Sequence, residues 1–186
     1  MELWEELQRF TPFNEEEAAD LRLILDCLRR EPEIFDRTNE LAHMTASAWI
    51  VNRERTKVLM AYHNLYQSWA WLGGHADGDC NLLRVALKEV QEESGLVHVK
   101  PVSEKIFSVE ALPVFGHVKR GRYVPTHVHL NVTYLMDADE GDELHEKPDE
   151  NSGVQWFGLE ECLSAVSEEW MRDHIYQKLN EKLRAL

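Results

Sequence analysis

The stretch GGHADGDCNLLRVALKEVQEESGL, residues 73–96, joins a pair of glycines to a segment with three closely spaced glutamates. Its apolar residues recur at i, i+3, i+4 and i+7, which is the spacing of one face of a helix. These residues are Leu83, Ala86, Leu87 and Val90. Gly95 follows them in the position where helices commonly end. The pattern therefore predicts an amphipathic helix over residues 82–94.

The three glutamates of this helix, Glu89, Glu92 and Glu93, lie three and four positions apart, so their carboxylates should gather on one edge. Like charges at that distance repel each other. A hard divalent cation such as Mg²⁺ relieves the repulsion, because carboxylate oxygens are its preferred ligands. A solvated acidic face, partly balanced by Lys88, is the alternative. The glycine pair favours the cation, because a backbone without side chains can approach closely and aim a carbonyl at the same ion.

Together these residues resemble the Nudix box, whose one-letter form is GX5EX7REUXEEXGU, with U aliphatic. Residues 74–96 follow its spacing throughout. The matching residues are Gly74, Glu89, Val90, Glu92, Glu93, Gly95 and Leu96. The segments SWAWLGG and GVQWFGLEE on either side also resemble the family, so the resemblance covers most of residues 43–184. A match of this length is far more specific than a three-residue motif.

Two positions depart from the box. Cys80 stands where the family has glutamate, and Lys88 stands where it has arginine. In the family these two positions are generally regarded as a structural ion pair. The change at both positions together is compatible with an intact site. We hypothesise that Asp79, one residue before Cys80, replaces the missing carboxylate and reaches Lys88.

The resemblance implies an α/β fold, a Nudix-like α/β/α sandwich with a mixed sheet, over residues 41–186. Residues 1–40 would form an N-terminal helical extension. The implied activity is hydrolysis of a diphosphate linkage in a nucleoside diphosphate derivative of the ADP-ribose or sugar-nucleotide type, or in a nucleoside triphosphate. The implied cofactor is Mg²⁺, with Mn²⁺ as an alternative, which neutralises phosphate charge and lowers the pKa of the attacking water.

The resemblance also implies roles for individual residues. Glu92 and Glu93 would bind the metal, Glu89 would bind metal or orient the water, and the carbonyl of Gly73 would complete the coordination shell. The glutamate that acts as the base varies among family members. All three glutamates are therefore candidates for catalysis as well as for metal binding.

A basic loop, GHVKRGRY at residues 116–123, is a candidate for substrate binding. It concentrates Lys119, Arg120 and Arg122 within an acidic chain, which suits contact with phosphate. The alternative is a solvated hairpin tip whose charges discourage edge pairing.

Three histidines are further candidates for substrate contact. His127 and His129 alternate along a predicted strand and therefore face the same side, where they could line the pocket near the metal. A surface or packing role is the alternative. His75 follows the glycine pair directly, at the mouth of the implied site. Glu150 precedes the last predicted strand and is either one more carboxylate for the metal or a solvated loop acid.

Elsewhere, Asn14 and Glu17 have the spacing of a capping box and predict a helix over residues 14–30. Alternation and β-branched content predict strands, and apolar periodicity predicts two closing helices. The strands are expected at 45–51, 55–63, 104–114, 127–136 and 153–158, and the helices at 159–166 and 168–184. Such a mixture favours a sheet covered on both faces.

The charge of the whole chain limits its partners. With 34 acidic residues against 20 Lys and Arg, the formal net charge of −14 repels a nucleic-acid polymer and an anionic membrane surface. No apolar run approaches the ~20 residues of a membrane span, and the first residues lack the features of a secretory signal. The three cysteines form no CxxC pair. We expect a soluble cytoplasmic enzyme for a small molecule, with N-terminal helices that either cover the sheet or mediate a homodimer.

Two other functions remain open from the sequence. The changes at Cys80 and Lys88 would suit a catalytically inactive Nudix-like nucleotide-binding module, although the three glutamates are intact. An enzyme like isopentenyl-diphosphate isomerase would use a cysteine and a glutamate on a related fold, but no second motif supports it.

Overall fold

The structure is a computed structural model that describes residues 3–31, 33–119 and 121–186. Its helices are α1 (Leu3–Arg9), α2 (Glu15–Arg30), α3 (Leu82–Ser94), α4 (Leu159–Ala165) and α5 (Gln177–Arg184), with a π-helical segment, Met171–Tyr176, leading into α5. Its strands are β1 (Ala42–Val51), β2 (Lys57–His63), β3 (Ser68–Ala70), β4 (Leu72–His75), β5 (Lys100–Pro101), β6 (Ser108–Val114), β7 (His117–Lys119), β8 (Arg122–Val124), β9 (His127–Asp137) and β10 (Asn151–Gly158). Within these ranges, no helix combines the length and apolar character needed to cross a membrane.

Local capping signals place the ends of α2 and α3, and both predicted helices are confirmed. The side chain of Asn14 accepts a hydrogen bond from the backbone N–H of Glu17 at 2.8 Å. Asn81 caps α3 in the same way. At the other end of α3, Gly95 adopts a left-handed φ of 75° and donates its N–H to the carbonyl of Gln91. Glycine suits this position because residues with a side chain rarely adopt positive φ.

The strands form a mixed eight-stranded sheet with the main order β10-β2-β1-β9-β5, to which β3, β4 and β6 are added by pairing with β2, β1 and β9. The central pair, β1 with β9, is parallel from Ala42 opposite Val128 to Val51 opposite Asp137. The other pairs in this sheet are antiparallel. The expected mixed sheet is therefore confirmed. A separate two-stranded sheet consists of β7 and β8.

Alternate residues of β1 face two different cores, as the pleat of a strand requires. Met44, Ala48 and Ile50 lie in a core that α2 and α3 cover. Trp49 and Val51 lie in a second core under α4, the π-helical segment and α5. Helices thus cover both faces of the sheet, which confirms the expected sandwich.

The N-terminal helix α2 is joined to the sheet by apolar contacts and by buried charge. Leu21 and Ile24 lie in the same core as α3. Glu17 accepts hydrogen bonds at 2.6 Å from Oγ of Ser108 on β6 and at 2.6 Å from Nζ of Lys182 on α5. These contacts connect the two ends of the chain through one edge of the sheet.

Candidate active site

Three carboxylates meet beside the glycine pair, and we call them the carboxylate cluster. Glu89 and Glu93, one turn apart on α3, and Glu150, immediately before β10, each place one carboxylate oxygen within 4.8 Å of the other two. Glu93 is buried and the other two are half-buried. The structure therefore brings two of the predicted site residues together with an acid that the sequence left open.

The glycine pair holds β4 close to this part of α3. The backbone N–H of Gly73 donates a hydrogen bond to Oε2 of Glu93 at 3.1 Å. A Cβ atom on Gly74 would lie 2.5 Å from Cδ of Glu89, and one on Gly73 would lie 2.5 Å from the backbone oxygen of Ala46. Because both distances are shorter than a van der Waals contact, each glycine leaves space that another residue would fill.

Burial and like charges act together on the acids of the carboxylate cluster. Burial raises the pKa of Glu93 to about 8, and the charges of Glu89 and Glu150 act in the same direction, against the hydrogen bond from Gly73. Burial also raises the pKa of Glu89, and the charge of Glu92 adds to this shift. Oxygen donors that repel each other in a confined space fit a hard divalent cation, which relieves the repulsion.

Two lysines lie at the rim of the carboxylate cluster. Nζ of Lys147 lies 3.2 Å from Glu92 and 3.0 Å from Glu150. Nζ of Lys88 lies 3.4 Å from Glu92 and 3.7 Å from Glu89. The hydrogen bond from Lys147 lowers the pKa of Glu92, whose side chain is exposed. Glu92 thus lies outside the carboxylate cluster and is paired with the rim lysines.

The hypothesis that Asp79 reaches Lys88 is wrong. Asp79 lies in the turn before α3, where it accepts a hydrogen bond from the backbone of Asn81 and forms a two-point contact with Arg84, at 2.6 and 2.7 Å. Arg84 lies one turn closer to this aspartate than Lys88 does. Lys88 is directed toward Glu89 and Glu92 instead.

Histidines from three strands converge on one face of the sheet, and we call His43, His75 and His129 the histidine cluster. His43 of β1 lies directly opposite His129 of β9, and His75 ends the neighbouring strand β4. The ring centroids are 5.2, 5.0 and 4.9 Å apart. Gly74 faces Glu89, and successive residues of a strand point to opposite faces, so His75 points away from Glu89. The histidine cluster therefore lies on the opposite face of β4 from the carboxylate cluster.

His127 lies beside this group. Its Nε2 is 3.1 Å from Nε2 of His129, and its ring stacks on His43 with 4.9 Å between centroids. The structure therefore brings the predicted residues His75, His127 and His129 together. Burial lowers the pKa of His43, so its imidazole favours the neutral form.

The predicted basic loop forms the β7–β8 hairpin, where Val118 lies opposite Tyr123. Arg122 is exposed on β8. Lys119 ends β7, and Arg120 lies outside the described residues. Of these three basic residues, Arg122 is the one whose side chain the structure describes, and no contact between it and either cluster is found among the described residues. The hairpin approaches the histidine cluster through His117, whose ring centroid is 6.5 Å from that of His127.

Sequence reasoning missed His43 and Lys147. The predicted strand begins at residue 45, whereas β1 begins at Ala42 because its pairing with β9 extends that far. A signal was present, since His43, Thr45 and Ser47 alternate with apolar residues in HMTAS. No local pattern distinguished Lys147 from other loop lysines, because its acidic partners come from α3 and from the end of the same loop.

The family model of the NUDIX domain matches residues 41–179, which include the glycine pair, α3 and both clusters. The chain belongs to the Nudix family. As a Nudix protein it is a pyrophosphohydrolase, an enzyme of a family that acts on small nucleotides and generally needs a divalent metal ion. No curated protein matches the sequence.

Solved structures share the fold at low sequence identity. A NUDIX-family hydrolase from Clostridium perfringens is 21% identical, with a TM-score of 0.53, and the match covers 77% of this chain and 97% of that chain. The dihydroneopterin triphosphate pyrophosphohydrolase of E. coli is 12% identical, with a TM-score of 0.57 and coverages of 77% and 96%. The Ap4A hydrolase of C. elegans is 17% identical, with a TM-score of 0.54 and coverages of 76% and 95%. These likenesses establish a common fold.

Proposed function

We propose that the protein hydrolyses a diphosphate linkage in a nucleoside diphosphate derivative of the ADP-ribose or sugar-nucleotide type, or in a nucleoside triphosphate. Its cofactor would be Mg²⁺, with Mn²⁺ as an alternative. The observation that carries this proposal is the convergence of Glu89, Glu93 and Glu150, whose carboxylate oxygens lie within 4.8 Å of one another beside the glycine pair. Oxygen donors of this kind suit both cations.

The carboxylate cluster would hold the ion, with the carbonyl of Gly73 and the side chain of Glu92 as further candidate ligands. When bound, the ion neutralises phosphate charge and lowers the pKa of a water molecule. Glu93 is 7% exposed and is fixed by the hydrogen bond from Gly73, so we assign it to holding the ion. Glu89 is half-buried whereas Glu93 is buried, so Glu89 is better placed to orient the attacking water and accept its proton.

Substrate phosphates would be bound on the side of the histidines and the β7–β8 hairpin. Guanidinium and imidazole N–H groups donate hydrogen bonds to phosphate oxygens, and the exposed position of Arg122 supports this role. The proposed substrate contacts are His75, Lys119, Arg120, Arg122, His127 and His129.

We further propose that residues 1–40 are a helical extension of a hydrolase domain at 41–186, because the family match begins at residue 41. A cytoplasmic location is supported by Cys27, Cys80 and Cys162, which are all free.

Phosphate release through a coupled phosphatase, over a panel of substrates with Mg²⁺ or Mn²⁺, tests the proposal. The panel contains ADP-ribose, sugar nucleotides, dinucleoside polyphosphates, dinucleotide cofactors and nucleoside triphosphates. We expect Glu93→Gln to fold normally and to lose activity by at least about 100-fold, because metal-held charge contributes several kcal/mol to transition-state stabilisation. Glu104→Gln, which changes an exposed loop acid, is the matched control and should retain activity.

Full activity of Glu93→Gln would contradict the assignment of the carboxylate cluster. Absence of turnover across the panel, with metal binding intact, would instead support a nucleotide-binding module. Turnover of one class of compound in the panel would identify the substrate class.

A further inference from the structure

The histidine cluster contains a buried nitrogen without a hydrogen-bond partner. His43 is only 4% exposed, and its Nε2 has no partner among the described residues. Its other ring nitrogen, Nδ1, lies 3.0 Å from the backbone oxygen of Asn39. Because a carbonyl oxygen can only accept, Nδ1 carries the proton, and Nε2 of the neutral ring keeps an unshared electron pair.

Such a nitrogen needs an explanation. An unsatisfied buried polar atom destabilises the folded state, and native structures contain few of them. Histidines that bind metal ions almost always donate their second ring N–H to a carbonyl or a carboxylate, which orients the first nitrogen toward the ion. The contact between His43 and Asn39 has this form. It presents the free electron pair of Nε2 for coordination.

His75 and His129 supply the other two nitrogens. One ring nitrogen from each of the three histidines lies within 4.8 Å of the other two. They stand on three adjacent strands of one sheet, and the pairing of these strands sets their relative positions. His127 adds a fourth imidazole, whose Nδ1 lies 2.8 Å from the carbonyl of Pro125 and whose Nε2 is 3.1 Å from that of His129.

We propose that His43, His75 and His129 form a binding site for a divalent transition metal ion, of which Zn²⁺ fits best. Three imidazole ligands form a known zinc-binding set that leaves a fourth position open. Nitrogen donors select transition metals, whereas the oxygen donors of the carboxylate cluster select Mg²⁺ or Mn²⁺. The two clusters therefore discriminate between metals through their donor atoms.

The site also bears on the substrate, and this step rests on the proposed function. Neutral imidazoles leave the ion with its full positive charge, so its open position attracts an anionic phosphate oxygen. His75 and His129 would then act on the substrate through the ion rather than by direct contact.

The test uses the full chain, stripped with EDTA and dialysed. Zn²⁺ is titrated in competition with a chromophoric chelator, and Co²⁺ binding is followed by its visible absorption. We expect one equivalent of Zn²⁺ at this site. His43→Gln, His75→Gln and His129→Gln should each weaken binding by at least about 100-fold, because even the loss of a partner of a ligand costs about 10–100-fold. His98→Gln, which changes a histidine whose side chain is 76% exposed, is the matched control.

Glu93→Gln should keep its Zn²⁺ and lose only turnover, which separates this proposal from the hydrolase proposal. Absence of Zn²⁺ binding in the wild type would overturn the site, as would unchanged affinity in His75→Gln and His129→Gln. Those two variants decide the matter if His43→Gln does not fold. Loss of Zn²⁺ in Glu93→Gln alone would place the ion in the carboxylate cluster and would equally overturn the proposal.

Discussion

Among the described residues, a buried group of acids and a partly buried group differ in how their charge is balanced. In one group, which we call the Glu17 network, the carboxylates of Glu17 and Glu110 face the ammonium groups of Lys178 and Lys182, and all four residues are buried. In the carboxylate cluster, three acids face each other, and the lysines stand only at the rim.

The contacts of the Glu17 network are short and matched. Lys182 Nζ lies 2.6 Å from Glu17, and Lys178 Nζ lies 3.0 Å from Glu110. Burial alone would raise the pKa of Glu17, but the charge of Lys178 and the hydrogen bonds from Lys182 and Ser108 lower it overall. Burial alone would lower the pKa of Lys178, but Glu110 and Glu17 raise it. Both residues are therefore held in their charged forms.

The difference teaches that burial of acids does not by itself mark a functional site. The Glu17 network joins α2, β6 and α5, and its opposite charges satisfy one another. The carboxylate cluster keeps like charges together, which is costly unless a cation or a proton enters. The group whose charge is only partly balanced, by lysines at its rim, is therefore the one that we assign to chemistry.

The largest effect on stability is expected from breaking the Glu17 network. Glu17→Gln leaves the ammonium group of Lys182 without its carboxylate and should lower the free energy of unfolding by about 3–5 kcal/mol. Urea denaturation measures this change. The double variant Glu17→Met with Lys182→Met, which removes both charges, should lose much less. An equal loss of unfolding free energy in the double variant would mean that side-chain packing, rather than charge balance, determines the stability of this network.

Neutralising an acid of the carboxylate cluster should raise the free energy of unfolding at high pH, whereas neutralising Glu17 lowers it. The pKa of Glu93 is raised from 4.5 to about 8 by burial, so the folded state holds this proton more tightly than the unfolded state. Its contribution to stability is complete below pH 4.5 and is lost as the pH rises through about 8. In EDTA, Glu93→Gln should therefore be more stable than the wild type at pH 9, by on the order of 2 kcal/mol.

Thermal denaturation of both proteins between pH 5 and 9 measures this difference, and Mg²⁺ should reduce it in the wild type. If the stability difference between the wild type and Glu93→Gln were the same at every pH from 5 to 9, the raised pKa of Glu93 would be refuted. The reverse pH dependence is expected for Glu17, because its pKa is lowered. Its contribution to the free energy of unfolding is present above pH 4.5 and is lost as the pH falls.

Both glycines border the carboxylate cluster and should affect turnover, but their alanine variants should differ in stability. A Cβ on Gly73 meets the backbone of Ala46 and Ser47, so Gly73→Ala should lower the free energy of unfolding by about 1–2 kcal/mol. A Cβ on Gly74 meets the flexible side chain of Glu89, so Gly74→Ala should displace that carboxylate and reduce turnover by about 10–100-fold with little loss of stability. Calorimetry and the phosphate-release assay distinguish the two, and equal profiles would contradict this division.

The smallest effect is expected at the surface pair of Asp79 and Arg84. Asp79→Ala removes an exposed ion pair and a contact to the backbone of Asn81, and should cost less than about 1 kcal/mol. Turnover should be unchanged, because Lys88 keeps its contacts with Glu89 and Glu92. A large loss of turnover would indicate that Asp79 helps to hold the residues of the Nudix box in place.

Several features could be predicted because their signals are local. The bounds of α3 agree with the prediction at both ends, since Asn81 and Gly95 cap the helix within one turn. The strands were predicted less well. β6 begins at Ser108 rather than at residue 104, and β1 begins before residue 45, because pairing with β9 determines where each strand starts.

Periodicity and caps were enough to establish the helix after the glycine pair and the acidic edge that it carries, because each depends on residues a few positions apart. Long-range packing settled which acids share a confined space. Glu93 faces Gly73 and Glu150, whereas the adjacent Glu92 faces Lys147. The electrostatic environment of a carboxylate depends on groups within a few ångströms of it, and here those groups come from distant parts of the chain.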